Sequence, residues 1–125
     1  MKVLLSFEEE YRVYMEAMAD AIRTFRPNVE VATADAGELE AEVERFAPQL
    51  VICSPPLPDN PADNQLARIE LSPDPEQPSR FRVGERRWES TNPTLGEILP
   101  VVDDTKKLLR TSREQALTED DAGDL

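Results

Sequence analysis

The groups in this chain best placed for chemistry are Cys53 and Ser54, a thiol and a hydroxyl side by side at the close of the apolar run Leu50-Val51-Ile52-Cys53. Either becomes a working nucleophile only when a neighbouring base or a cationic setting withdraws its proton. The chain has no histidine, so the usual base, the usual proton shuttle and the commonest metal ligand are all missing. Catalysis would fall to carboxylates, lysine or a bound metal. No Gly-x-Ser-x-Gly turn surrounds Ser54. The glycines, Gly37, Gly84, Gly96 and Gly123, are too dispersed to build a phosphate-binding loop. Cys53 lies in an apolar setting that disfavours the thiolate, so it reads as core. The sequence predicts no catalytic residue and implies no cofactor.

Ser54 is positioned by a strand. Leu50 to Cys53 does not alternate with polar residues, as expected of a strand covered on both faces in a parallel sheet. Such sheets hold their functional groups just past the carboxyl ends of the strands. Lys2 to Phe7 reads as a first buried strand. Tyr11, Tyr14, Met15, Met18, Ile22 and Phe25 then trace one face of a helix. Glu8, Glu9 and Glu10 oppose its positive end, and Pro27 follows its stop. Val29 to Thr33 alternates like a half-exposed edge strand. A helix from about Gly37 to Phe46, apolar at Leu39, Val43 and Phe46, ends at Pro48 and delivers the chain to Leu50. This order predicts an α/β fold, doubly wound about a mainly parallel sheet.

Beyond Ser54 the regular alternation stops. Seven of the eleven prolines fall between 55 and 78, which excludes helix interior from most of that span. The third and fourth crossovers are therefore expected to be short. Leu66 to Ser72 reads as a fourth strand, with Ala67, Ile69 and Leu71 inward and Arg68 and Glu70 on a wet face. Arg80 to Glu89 reads as a β-hairpin about Gly84-Glu85, a glycine-first pair suited to a type II′ turn. That register sets Phe81 against Trp88 over the core and leaves Arg80, Arg82 and Arg87 on the opposite face. Thr94-Leu95-Gly96-Glu97 is a capping-box pattern. It opens a last helix with Leu95, Ile98, Leu99, Val102 and Leu109 in one stripe, running to about Arg110. Pro100 should kink that helix or split it. Residues 1–112 make one domain, and 113–125 an acidic, disordered tail.

The net charge is −12, which argues against direct binding of nucleic acid or an anionic membrane. Residues 80–113 nevertheless carry eight basic and five acidic side chains, a local basic zone between two acidic regions. The single cysteine cannot close an internal disulfide, which points to a reducing, cytoplasmic setting. No export or spanning segment is visible.

The opening Lys2-Val3-Leu4-Leu5 with acids soon after, Ala47-Pro48-Gln49-Leu50-Val51-Ile52-Cys53 leading into position 54, and Ile69-Glu70-Leu71-Ser72 together resemble the receiver domains of two-component response regulators. The resemblance covers roughly residues 1–72 and the last helix by position. It implies a flavodoxin-like sheet with the phosphoacceptor position at Ser54. It also implies a metal-binding acid position at Glu8, with Glu9 beside it, and a phosphoryl-sensing hydroxyl at Ser72. The family's acceptor is an aspartate, and the lysine that ends the family's fifth strand has no counterpart here, since no lysine lies between Lys2 and Lys106. A serine hydroxyl without a base does not take up a phosphoryl group as a carboxylate does. The chain thus resembles a pseudo-receiver.

The function expected is a non-catalytic regulatory or signalling domain. It would bind a protein partner or a second copy of itself as a homodimer, through Arg80, Arg82 and Arg87 with Lys106, Lys107 and Arg110. The alternative is a small-ligand or metal-binding domain in which Glu8, Ser54 and Ser72 converge at the strand ends. Ser54-Pro55 also offers a separate kinase a weak signal.

Overall fold

Val3, Leu4, Leu5, Leu50 and Ile52 are all 0% exposed, because the strands that carry them are covered from both sides. The computed structural model describes residues 1–54 and 65–123, the stretch 112–123 by backbone only. The strands are β1 (Lys2–Phe7), β2 (Glu30–Asp35), β3 (Leu50–Ser54), β4 (Ala67–Glu70), β5 (Pro78–Val83) and β6 (Arg86–Thr91). The helices are α1 (Arg12–Phe25), α2 (Leu39–Phe46) and α3 (Leu95–Gly123). The described strands form one six-stranded sheet in the order β2-β1-β3-β4-β5-β6. β1 pairs in parallel with β2 and β3, and β3 with β4. β4–β5 and β5–β6 are antiparallel. The protein is therefore α/β with a mostly parallel sheet, and β2 is an edge strand as its alternation predicts.

The direction of β5 follows from the length of its connection. Residues 71–77 are too few for a parallel crossover, which needs a dozen or more. A shortened fourth crossover was the expectation; the chain instead makes a tight turn. Ser72 Oγ accepts from Asp74 N–H at 3.2 Å and donates to Asp74 O at 3.0 Å. Asp74 Oδ1 accepts from Glu76 N–H at 2.9 Å. Such hydroxyl and carboxylate bonds to nearby backbone mimic turn bonds and suit the prolines between them. The third crossover lies largely at 55–64, outside the described residues.

The β5–β6 hairpin has the predicted register, with Phe81 opposite Trp88, Arg82 opposite Arg87 and Val83 opposite Arg86. Gly84 takes φ 60° at the first turn position, and Glu85 does not adopt positive φ. That combination is the glycine-first turn. The Phe81 and Trp88 rings stack at 5.3 Å between centroids.

Strand alternation sends side chains to two faces. On one, Val3, Leu5, Ile52, Ile69 and Phe81 meet Met15, Met18, Ala19 and Ile22 of α1 and Ile98, Val101 and Val102 of α3. On the other, Leu4, Ala34, Val51 and Cys53 meet Leu39, Val43 and Phe46 of α2. The predicted α1 stripe is right at Met15, Met18 and Ile22, whereas Tyr14 and Phe25 are exposed and Ala19 completes the buried face. α2 closes at Ala47, left-handed at φ 50°, with its N–H on Val43 O at 3.0 Å.

Three further expectations change. The helix that Pro100 was expected to kink or split runs through it as one element to Gly123. Pro100 is exposed, and the carbonyl facing its ring is that of Gly96, where no side chain adds to the crowding. No further glycine or proline interrupts 101–122, so the backbone stays helical past Arg110, across a stretch where the sequence predicts no ordered element. The wet face of β4 is largely dry: Arg68 is only 7% exposed, since β4 is an inner strand. Its Nε lies 3.2 Å from Glu70 Oε1 without the alignment of a hydrogen bond. No helix among the described residues is long and apolar enough to cross a membrane.

Candidate functional site

The carboxyl ends of β1, β3 and β4 open into a cavity of about 230 Å³. Ser54, the last residue of β3, is paired with Phe7 at the end of β1, and its carbonyl accepts the Glu8 N–H at 3.2 Å. After that bond the chain makes a 3-10 turn, Glu9–Tyr11, and enters α1. Tyr11 and Tyr14 thereby stand over the strand ends, with the Tyr14 ring 5.9 Å from that of Phe7. The opposite wall comes from the turn after β4, where Leu71, Ser72, Pro73 and Pro75 line the space. Asn92 and Pro93, between β6 and α3, close the rim. Asn92 reaches its place in a left-handed conformation, φ 49°, which asparagine tolerates better than most residues.

Of the strand-end residues expected to converge, Ser54 and Ser72 do share this cavity. Glu8 is held beside Ser54 through its backbone, but it is not a lining residue, and exposed Glu9 is not either. The Ser72 hydroxyl is already engaged by the Asp74 backbone, while Ser72 N–H donates to Ser79 Oγ at 2.9 Å. Ser79 is itself buried in the lining. Tyr11, Tyr14, Ser79, Asn92 and Pro93 are site residues that the sequence reading did not find. The spacing of the tyrosines matches a buried stripe; Tyr11 does pack against the core as well as lining the cavity, whereas Tyr14 is exposed. Asn92-Pro93 did carry a signal, as such pairs mark turns.

The walls are aromatic rings, prolines and hydroxyls, and among the described residues no charged side chain lines the cavity. Those groups suit a small neutral ligand that can stack and accept or donate a few hydrogen bonds. Among the described residues, no group of three or more Cys, Asp or Glu is arranged to hold a metal ion.

The second candidate surface is divided by the sheet. Phe81 and Val83 face α1 and α3, so Arg80 and Arg82 face the other way, with Arg87 opposite Arg82. Lys106, Lys107 and Arg110 belong to α3, on the first side. The six cations predicted as one surface therefore form two. Arg68, Arg82 and Arg87 are in direct register across three strands, a row of like charges that costs stability unless it is balanced. Glu70 balances Arg68. Arg82 places Nη2 on Gln65 O at 3.1 Å. Arg86 alternates to the α3 side, 4.9 Å over the Trp88 ring, and bonds Asp104 at 2.9 Å.

Comparison with known proteins finds no match to this chain: no family model, no curated protein and no solved structure aligns with it.

Proposed function

We propose that this chain is a non-catalytic interaction domain of regulatory or signalling type, a receiver-like plan without the phosphoacceptor chemistry. The observation that carries the reading is the second face of β4–β6. α2 packs against residues of β1, β2 and β3 on that side, and beyond them Arg80, Arg82 and Arg87 stand on the sheet. Such a face suits an acidic protein partner, and charge of this kind governs encounter rate and specificity more than raw affinity. The order β2-β1-β3-β4-β5 supports the receiver-like plan, since it is the flavodoxin-like order; the antiparallel fifth strand departs from it. At the end of β3, a serine among rings and prolines offers neither the carboxylate nor the charge balance of phosphoryl uptake.

Affinity purification from the native cell, wild type against Arg80→Glu with Arg82→Gln, tests this reading. Partners retained by the wild type at low salt should be lost from the variant and weakened by added salt. An identical partner set for both proteins would refute the surface.

The cavity favours a second reading, a small-ligand domain using Ser54. Titration with magnesium, inorganic phosphate and small aromatic alcohols, followed by amide NMR shifts, separates its versions. Shifts at Ser54, Tyr11 and Tyr14 with the alcohols alone would fit the neutral walls.

A further inference from the structure

We propose that β6 is a self-association edge, pairing two copies of this chain antiparallel about a two-fold axis at Trp88. The inference rests on the interaction-domain reading and specifies one contact for it. The sheet has two outer strands. On β2, Arg23 Nη2 donates to Val31 O at 3.0 Å, so a side chain already occupies part of that backbone. Among the described residues, β6 is bonded by β5 alone. An open edge of this kind is a template for another strand.

The hairpin fixes which groups are open. Its turn has two residues, so Val83 and Arg86 exchange both main-chain bonds. By alternation Phe81 does so with Trp88, and Ser79 with Ser90. The N–H and C=O groups of Arg87, Glu89 and Thr91 therefore point away from β5. A symmetric antiparallel mate must meet these outward groups and keep its side chains on matching faces. Both conditions hold only when the axis falls on a residue.

Charge order selects the residue. With the axis on Trp88, Arg87 faces the partner's Glu89 and Glu89 faces the partner's Arg87, each pair also exchanging main-chain bonds. With the axis on Glu89, two glutamates face each other; with it on Arg87, two arginines do. Opposite charges at directly opposed positions stabilise a sheet and like charges destabilise it. An edge guarded by charge of a single sign repels its own copy, whereas Arg87-Trp88-Glu89 is complementary to itself. The half-buried Trp88 then meets its twin at a non-hydrogen-bonded position, where opposed residues approach most closely.

Sedimentation velocity on the purified full chain over a concentration series tests the register. The wild type should dimerise, and Arg87→Glu and Glu89→Arg should each weaken the dimer by about tenfold or more. Mixing these two variants should restore pairing, because each supplies the charges the other lacks, and the double exchange in one chain should restore it too. Both positions are exposed, so thermal melts should show each variant folded. A wild type that stays monomeric at its solubility limit overturns the inference, as does an Arg87→Glu variant that dimerises like the wild type. Neither result touches the Arg80 and Arg82 face, whose partners are read separately by affinity purification.

Discussion

The two ends of this sheet are built from the same backbone and end in opposite conditions. At the β2–β1–β3 end the pairing is parallel, both faces are apolar, and helices lie on both sides. At the β5–β6 end the pairing is antiparallel, apolar residues alternate with arginines along β5, β6 is polar apart from Trp88, and α3 covers one side. A parallel strand requires a crossover, and the crossover brings a helix that buries the face. A hairpin brings no helix. The parallel end can therefore hold the fold together, while the hairpin end keeps the charged face and, among the described residues, the unpaired edge on which the proposed recognition rests.

The sharpest way to break this comparison is to empty the parallel core. Ile52→Ala removes a side chain with 0% exposure from the layer between the sheet and helices α1 and α3 and should cost about 4 kcal/mol in urea unfolding. The next effect belongs to the boundary strand. Glu70→Ala leaves Arg68, whose side chain is 8% exposed, without its carboxylate, which should cost about 3 kcal/mol. Replacing both, as Arg68→Met with Glu70→Leu, should recover most of that loss, because the uncompensated charge is then gone. At the hairpin end, Trp88→Ala deletes the ring stacked on Phe81 but only half-buried, and about 2 kcal/mol is expected. A Trp88 variant less stable than the Ile52 variant would mean that the hairpin end, not the parallel core, chiefly holds the fold together.

The same division explains what could be read from the residues. Leu50 to Cys53 announces a doubly covered strand because an unbroken apolar run has few other uses, and Gly84-Glu85 fixes its hairpin because only certain residues take that turn. Local patterns fail where distant neighbours decide. Arg68 and Glu70 look wet from alternation, yet β4 lies inside the sheet. Tyr14 has core spacing, yet the first turn of α1 overhangs the strand ends, so it is exposed and lines a cavity that Tyr11, packed against the core, shares. Arg80 and Lys106 share a basic zone in sequence and are separated by the thickness of the sheet. Ser54 and Ser72 were legible as neighbours because the carboxyl ends of parallel strands meet by construction.

The smallest effect expected concerns how α3 is tied back to the parallel end. Arg26, just after α1, donates Nε–H and Nη2–H to the two Asp103 oxygens at 2.6 and 2.8 Å. These hydrogen bonds hold the Asp103 carboxyl below the usual carboxylate range, against a weaker upward push from burial, with Arg26, Lys107 and Lys106 charges adding to the downward shift. A carboxyl whose folded pKa is depressed contributes stability that is fully present above its unfolded pKa and lost as pH falls through the folded value. Asp103→Asn should therefore lower the urea midpoint slightly at pH 7, the pair being partly exposed. As the pH falls through the folded pKa of Asp103, the wild-type advantage should shrink and disappear. Parallel urea titrations of the two proteins at neutral and acid pH measure this directly. A difference that persists unchanged in acid would mean that the substitution acts through something other than the Asp103 charge, and no difference at either pH would mean that packing of Ile98, Val101 and Val102 holds α3 without the ion pair.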